Sequence, residues 1–355
     1  FLIGGYGTGE RAAAAVKFLL YSLFGGLLML AAIIALYVMS GSQGGHTFDI
    51  GALSQLQMSK ATQNWLFLGF FIAFAIKAPL WPLHTWLPDA AHSATPGTSV
   101  LLLGVLDKVG TFGMIRYCLT LFPDASRTFT PVILALSVIS IIYGAFLAIG
   151  QRDIKRLIAF TSISHFGFIT MGIFAMTSQG QSGATLYMVN HGFSTAALFL
   201  VAGWMISRRK SSTISDFGGL QRVTPVMAWS FFIAGMSSLA LPGLSSFVSE
   251  FLVLVGTFTR YPWHAVIATF GIVLAALYIL IPVQRALHGP TTPGNESLSD
   301  LNLREKIAIA PVIAVIVALG FFPAPLLNII NPAATATIQA AGFTDPVAKI
   351  EQGND

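Results

Sequence analysis

Long apolar stretches separated by short polar connections make up most of this chain. A membrane-spanning helix needs about 20 consecutive apolar residues. Because lipid offers no hydrogen-bond partners, the backbone groups of a spanning segment must bond within that segment, and apolar runs of this length exceed those of barrel strands. The pattern therefore predicts an all-α, polytopic transmembrane helix bundle. Nine stretches are long enough, at roughly 14–39, 64–83, 97–119, 130–150, 157–176, 185–206, 226–255, 263–287 and 307–330.

Two of these stretches are interrupted by helix-breaking residues. Pro79 and Pro82 fall in one of them, and Pro242 with Gly243 falls in another. A proline leaves a carbonyl without its amide partner, and at membrane depth such a group must be received by protein or by a water-filled cavity. Paired broken helices with ionisable residues close by are typical of a transport site near the middle of the membrane.

The connections are mostly short, which favours a single domain. We predict that residues 1–330 form one transmembrane domain, made of a helix stub at Phe1–Gly5 and nine spans. Residues 331–355, rich in Ala and Thr and then polar, are predicted to form a C-terminal surface tail.

Composition and charge agree with a membrane protein. Hydrophobic residues make up 55% of the chain and charged residues only 9%, with a mean hydropathy of +0.75, whereas soluble domains are about 25% charged. The net charge is +5. If the connections alternate sides, twelve basic residues lie on one side and five on the other, so the richer side is predicted to be cytoplasmic. The excess of basic residues thus reflects topology and does not indicate a nucleic-acid partner.

Redox and nucleotide motifs are absent from the sequence. Cys118 is the one cysteine, whereas an iron–sulfur cluster needs about four ligands. The sequence also has no CxxCH, GxGxxG or GxxxxGK[ST] pattern. We therefore expect no cofactor in this chain, and expect any electron transfer to take place in partner chains.

Two lysines lie inside predicted membrane helices, although a charge at the bilayer centre costs roughly 2.5–3.5 kcal/mol. Lys77 precedes the first break; it is interpreted as a proton carrier, or else as a lysine that extends from a helix end towards water. Lys108 is interpreted as a proton carrier, or else as half of a static ion pair. Asp107 is either a source of local field or a structural anchor. Because adjacent helical residues point about 100° apart, Asp107 and Lys108 are not expected to pair with each other.

Two histidines and a glutamate complete the set of ionisable residues. His165 shares a helix face with Thr161, and His191 shares one with Tyr187, at spacings of four. Histidine, with an ordinary pKa of about 6.5, can take and give protons at different nitrogens. Glu250 follows the second break, where burial disfavours a lone carboxylate charge. We predict that Lys77, Lys108, His165, His191 and Glu250 form a proton relay.

His84, Asp89 and His92 lie close together after the first break. Their spacing matches no zinc signature. We interpret them as structural loop residues with a secondary part in proton exit, and predict no metal site.

Four ordered strings carry a resemblance to a known family: IKAPLWPLHTWLPDAAHSATPGTSVLL, QRDIKRLIAFTSISHFGFITMGIF, ISDFGGL and LPGLSSFVSEF. They resemble the antiporter-like, proton-pumping membrane subunits of respiratory complex I, over residues 12–330. The resemblance implies a fold with two inverted five-helix repeats and proton half-channels that meet along a central polar axis. In this resemblance Lys77 matches the lysine of broken helix seven and Lys108 that of helix eight. The histidines match those of helices ten and eleven.

Glu250, where several relatives carry lysine, favours the subunit M type over the L and N types. The resemblance also implies a glutamate partner for Lys77 on an earlier helix. We therefore expect the first helices of the fold, with that glutamate, to lie before Phe1.

The resemblance implies a function, partners and a location. The chain would be a translocase subunit of an NADH–quinone oxidoreductase, with FMN, iron–sulfur clusters and quinone in partner subunits. Subunits of the L and N types would flank it, with lipid around it, in the inner (plasma) membrane of a bacterium. The alternative is a subunit of an Mrp-type Na⁺/H⁺ antiporter. A scaffold that only braces its neighbours is a third interpretation, against which the charges in lipid argue.

Overall fold

The computed structural model describes residues 1–346, and this part of the chain is helical almost throughout. Across these residues there is no strand, only an isolated bridge between Asp153 and Thr213. The predicted all-α class is confirmed. The helices are α1 (Leu2–Tyr6), α2 (Arg11–Gly41), α3 (Ile50–Leu53), α4 (Lys60–Lys77), α5 (Trp86–Ser93), α6 (Pro96–Leu121), α7 (Pro123–Ile149), α8 (Ile154–Phe174), α9 (Ser178–Arg209), α10 (Leu220–Val223), α11 (Pro225–Ser238), α12 (Ser245–Phe258), α13 (Pro262–Leu287), α14 (Leu303–Phe321) and α15 (Ala324–Ala340), with a 3₁₀ turn at Ile214–Asp216.

Six helices within residues 1–346 are long and apolar enough to cross a membrane as single rods: α2, α6, α7, α8, α9 and α13. Helices α14 and α15 pass that test together, although they are bent by 70° at their junction. The bend coincides with Pro323, which stands at the start of α15 and has no amide to continue the hydrogen-bond ladder of α14.

The two predicted breaks are confirmed, as the gap between α4 and α5 and the gap between α11 and α12. In the first gap, the carbonyl that Pro79 frees on Ala75 accepts a hydrogen bond from the Leu80 amide at 3.0 Å. The Trp86 indole donates to the neighbouring Ile76 carbonyl at 2.8 Å. Protein groups therefore receive the backbone of the break, as lipid could not.

Helix α8 lies at the centre of the bundle. Every residue of its most apolar window is buried, against 17% for α2, which lies at the edge. Glycines allow its close packing on both sides. A Cβ at Gly167 would lie 2.6 Å from the Ser137 carbonyl of α7, and one at Gly172 would lie 2.8 Å from the Gly180 carbonyl of α9. The central helix is thus enclosed by other helices and shielded from the surroundings.

Residues 331–340, the first part of the predicted surface tail, are helical, and most of their side chains are exposed. They belong to α15, where Ile330, Ala334 and Ile338 form a buried stripe at spacings of four. This stripe was missed because its surroundings, rich in Ala and Thr, do not stand out in hydropathy. The last part of the predicted tail, residues 347–355, lies outside the described residues.

Basic residues that were predicted to lie on the same side of the membrane are close together in the structure. Lys17 and Arg156 both contact Asp89, at 2.8 and 2.9 Å. At the opposite end of the bundle, the guanidinium groups of Arg127 and Arg260 lie 4.7 and 5.5 Å from the ring of Phe343. These contacts agree with the predicted two sides of the bundle.

Candidate functional site

The five residues of the predicted relay lie at similar depth in the bundle. Lys108, His165 and His191 stand near the middle of α6, α8 and α9, and Lys77 and Glu250 stand beside the two breaks. Since the long helices run from one side of the bundle to the other, positions near their middles form a row that runs across the bundle.

Lys77 is the last residue of α4 and faces α2. Its Nζ donates a hydrogen bond to Ser22 Oγ at 3.0 Å and lies 5.1 Å from the centre of the Phe18 ring. The side chain is half-buried. Within residues 1–346, no hydrogen bond or ion pair joins Lys77 directly to Lys108.

Lys108 lies where three polar groups converge. Its Nζ is 2.7 Å from His191 Nδ1 and 2.9 Å from Asp107 Oδ1, and it also donates to the Leu103 carbonyl. The ring of Phe166 lies 5.3 Å away. The ammonium thus has a counter-charge and a proton acceptor at the same time.

The expectation that Asp107 and Lys108 would not pair is wrong. The turn just before them, Leu102–Leu106, is π-helical, and the Asp107 amide donates to the Leu102 carbonyl five residues back. This wider turn alters the angle between successive side chains, and the flexible lysine stem folds its ammonium back onto the carboxylate. The contact lacks hydrogen-bond alignment, and the Asp107 side chain is fully buried, so its value lies in charge compensation.

The two histidines stand side by side between α8 and α9. Their ring centres are 5.3 Å apart. His191 Nε2 lies 3.2 Å from both Ser162 Oγ and Thr195 Oγ1. Thr161, which shares the face of His165, does not contact it, because its hydroxyl donates to a backbone carbonyl one turn back.

Tyr187 connects His165 to Glu250. The tyrosine hydroxyl donates to Glu250 Oε2 at 2.7 Å and lies 2.7 Å from His165 Nδ1, which donates to it in the matching tautomer. His165 Nε2 lies 3.2 Å from Ser238 Oγ, at the edge of the second break. The spacing of Tyr187 to His191 was visible in the sequence, but its link to Glu250 was not.

These contacts form a continuous contact chain across the bundle. It is made of Lys108, His191, His165, Tyr187 and Glu250, with Asp107 at its start. The structure thus brings together four of the five predicted relay residues, adds Tyr187, and leaves Lys77 outside the chain of contacts.

A cluster of hydroxyls and one amide holds the second break against α9. Ser194 Oγ lies 2.6 Å from Ser237 Oγ and 3.3 Å from Ser246 Oγ, so it touches both α11 and α12. One turn away, Asn190 donates to the Ser245 carbonyl at 2.6 Å and to Ser249 Oγ at 3.1 Å. The broken ends on which Ser238 and Glu250 lie are therefore fixed by α9.

His84, Asp89 and His92 were interpreted as loop residues, but only His84 lies outside a helix, since Asp89 and His92 belong to α5. His84 is buried beside the Tyr143 ring, at 5.2 Å, and His92 Nδ1 lies 3.2 Å from Asp153 Oδ2. Asp89 and His92 lie at the end of the bundle that carries Lys17 and Arg156, the side predicted to be cytoplasmic. Their secondary part in proton exit stays a prediction, and it would require the opposite orientation of the bundle. Throughout residues 1–346 no His, Cys, Asp or Glu cluster could hold a metal ion.

Asp153, in the connection before α8, caps that helix. Its Oδ1 accepts from the Arg156 amide at 2.9 Å, and its Oδ2 accepts from the Ser212 hydroxyl. Burial favours the neutral acid, but the close contact with the His92 ring and the hydrogen bonds from Ser212 and the Arg156 amide outweigh it, so the pKa of Asp153 lies below its usual value.

Comparison with known proteins places this arrangement in a family. The family model described as NADH:quinone oxidoreductase/Mrp antiporter, TM matches residues 1–275. The chain is 55% identical to NADH-quinone oxidoreductase subunit M of Mycobacterium tuberculosis, over 99% of this chain. It spans 65% of that protein's length, less than two thirds.

Solved structures share the fold. Respiratory complex I from Thermus thermophilus with bound NADH matches with a TM-score of 0.88 and 32% identity, over 96% of this chain and 72% of the matched chain. The Mrp complex from Dietzia sp. DQ12-45-1b shares the fold with a TM-score of 0.83 at 21% identity, over 93% of this chain and 70% of the matched chain. The polytopic bundle with two broken helices and a mid-depth row of ionisable side chains belongs to the NADH:quinone oxidoreductase/Mrp antiporter, TM family.

Proposed function

We propose that this chain is a proton-translocating membrane subunit of an NADH–quinone oxidoreductase. It carries protons through Lys77, Lys108, His191, His165 and Glu250, with Tyr187 as the bridge, while electrons move through other subunits. The observation that carries the proposal is the continuous contact chain from Lys108 to Glu250 in the interior of the bundle.

The chemistry of the contact chain suits proton transfer. Lysine, imidazole and carboxylate each exist in a protonated and a deprotonated form, and the phenol can accept a proton at its oxygen while giving up its own. Three of the four steps are short, with the side chains in hydrogen-bond distance. The fourth lies between the two rings of His165 and His191, whose centres are 5.3 Å apart, so a ring rotation or a bridging water completes it. Charged side chains at membrane depth are energetically costly, so their presence supports a part in proton transfer and argues against a chain that only braces its neighbours.

The partners and the location follow from the same proposal. FMN, iron–sulfur clusters and quinone belong to partner subunits, and antiporter-like subunits of the L and N types flank this one in the membrane. The bacterial relative named subunit M supports the inner (plasma) membrane of a bacterium as the location.

The test is NADH-driven proton uptake by inverted membrane vesicles that hold the assembled complex. Lys77→Ala, Lys108→Ala and Glu250→Ala are each expected to reduce it strongly. Lys77→Arg is expected to fail as well, because a guanidinium does not deprotonate in proteins. Undiminished pumping in all three alanine variants would refute the assignment.

The second candidate is a subunit of an Mrp-type Na⁺/H⁺ antiporter, which the shared family and fold support. The two separate by their partners. Co-purification with flavin and iron–sulfur subunits supports the first function. A complex free of redox cofactors that exchanges Na⁺ for H⁺ supports the second.

A further inference from the structure

One face of α2 packs along the first broken helix, which consists of α4, the break and α5, and makes side-chain contacts with it. Its positions 17, 18, 21 and 22 have the i, i+1, i+4, i+5 spacing of a single helix face. Three side chains of this face each bind one side chain of the broken helix at hydrogen-bond distance, and together they form a polar ladder. Its pairs are Lys17 Nζ with Asp89 Oδ2 at 2.8 Å, Tyr21 OH with Thr85 Oγ1 at 2.8 Å, and Ser22 Oγ with Lys77 Nζ at 3.0 Å.

The outer end of this ladder borders a water-accessible space. Asp89 is also bound by Arg156, at 2.9 Å. A cavity of about 310 Å³ lies here, lined by Glu10, Lys17, Asp89, His92 and Arg156 among others. It lies at the end of the bundle with the basic excess, where the cytoplasm is predicted. The ladder therefore begins where protons from that side can reach it.

The inner end of the ladder is Lys77 itself. Tyr21 and Ser22 are consecutive residues of α2, and a helix rises only about 1.5 Å per residue, so their two hydrogen-bonded pairs lie at nearly the same depth. Phe18 fills the space beside them, with its ring 5.1 Å from Lys77 Nζ and 5.0 Å from the Trp86 ring. On this face of α2, the hydroxyl groups of Tyr21 and Ser22 are thus the polar groups nearest the Lys77 ammonium.

We propose that the Tyr21–Thr85 hydroxyl pair is the step through which Lys77 exchanges protons with the cavity. The inference rests on the proposed function, since it gives Lys77 its supply. A proton from the cavity binds to one hydroxyl oxygen of the pair, and the bond from that oxygen to the proton shared across the pair breaks as the shared proton binds the second oxygen. The second oxygen releases its own proton to Ser22 Oγ, and Ser22 releases its proton to the neutral Lys77 amine across their 3.0 Å contact, where an N–H bond forms. The hydroxyl groups then reset by rotation of their O–H bonds. No electron changes hands.

Asp89 has a different part in this ladder. Two cations bind its carboxylate oxygens, Lys17 at one and Arg156 at the other, and this favours the charged form over the protonated one. Asp89 is therefore a positioning residue. It holds α5 between α2 and α8, one helical turn from Thr85, and so keeps the threonine hydroxyl against Tyr21.

The test compares variants that remove a hydroxyl and keep the shape of the side chain. Tyr21→Phe and Thr85→Val are expected to slow NADH-driven proton uptake by about tenfold or more in vesicles with the assembled complex. Proton supply then limits the rate, so the rate should fall more steeply as pH rises, and the solvent deuterium isotope effect should increase. Thr85→Ser, which keeps the hydroxyl, is expected to retain the parental rate and pH profile.

The matched control is Tyr37→Phe, on the same helix. The Tyr37 ring stacks on His46 and Phe48 at the far end of α2, and its hydroxyl has no hydrogen bond within the described residues. This variant should pump normally, and native gels should show equal amounts of complex for all variants.

Two outcomes would overturn the proposal, and they are distinguishable. If Tyr21→Phe and Thr85→Val keep the parental rate and pH profile while Lys77→Ala is inactive, the ladder is wrong and the proposed function stands. The ladder is equally refuted if Thr85→Ser loses as much activity as Thr85→Val. If Lys77→Ala itself pumps normally, the proposed function and the ladder fail together.

Discussion

The substitution Tyr187→Phe tests the contact chain at its bridge. It removes one oxygen atom from a fully buried ring and leaves the packing of that ring in place. The lost hydroxyl is the group that joins His165 to Glu250, with two contacts of 2.7 Å. No other described contact connects these two side chains.

The size of the effect follows from those two contacts. A hydrogen bond to a charged group contributes about 1.5–3 kcal/mol and a neutral one about 1 kcal/mol, so the bridge is worth about 3 kcal/mol. If the barrier for proton passage rises by that amount, the rate falls roughly a hundredfold, since about 1.4 kcal/mol corresponds to a factor of ten. We expect pumping to fall to about one hundredth while the amount of assembled complex changes little.

The assay is the initial rate of NADH-driven proton uptake by inverted vesicles, normalised to the complex seen on native gels. Tyr117→Phe is the control, because the Tyr117 ring stacks on Phe74 and its hydroxyl has no hydrogen bond among the described residues. A double variant with Glu250→Gln should be no slower than the slower single variant, since both changes interrupt one path. Pumping by Tyr187→Phe at the rate of Tyr117→Phe would show that protons do not pass through this bridge.

Three further predictions concern stability. Asp107→Asn leaves the Lys108 ammonium without its buried counter-charge, which should destabilise the fold by about 3 kcal/mol. Native gels should therefore show less assembled complex. The double variant with Lys108→Met should assemble normally but should not pump protons. Gly110→Ala places a Cβ 2.5 Å from the α4 backbone, which should destabilise the fold by about 1–3 kcal/mol and lower the melting temperature. Gly97→Ala, the control, has open space around it and should leave the melting temperature unchanged. Equal melting temperatures for the two variants would contradict this prediction. Asp153→Ala removes a helix cap worth about 1 kcal/mol. Because the pKa of Asp153 is lowered in the fold, its contribution is complete above an ordinary carboxylate pKa of about 3.9 and is lost as pH falls through the lower folded value. The difference in melting temperature between Asp153→Ala and the parent should therefore shrink in acid. A difference that does not change with pH would be evidence against Asp153 as a charged helix cap.

The features that sequence predicted correctly have local signals. The two breaks were found because each carries a paired signal, two prolines three residues apart or a proline followed by glycine, whereas the single prolines Pro131, Pro282 and Pro311 lie inside continuous helices. A charge in an apolar run is equally conspicuous, because lipid makes it costly. Four of the five predicted relay residues consequently lie in one contact chain.

The features that were missed depend on geometry that the sequence does not display. The π-helical turn before Asp107 leaves no mark in the hydrophobic period, so the pairing with Lys108 was assessed from ideal helix angles. The Tyr187–Glu250 contact joins two helices that are far apart in the chain. In the sequence, Lys17, Tyr21 and Ser22 are isolated polar residues of α2, and only the packing of the first broken helix against them shows that they share one polar surface.

The shared depth of the ionisable row has an electrical consequence. Moving one charge across a membrane voltage costs about 2.3 kcal/mol per 100 mV, but only displacement along the membrane normal counts. On the proposed path, a proton moves from Lys108 to Glu250 at nearly constant depth, so the equilibria of these lateral steps should be nearly the same in energised and de-energised membranes. The voltage then opposes only the entry and exit steps, and a rising protonmotive force slows the two ends of the path while its middle stays in equilibrium.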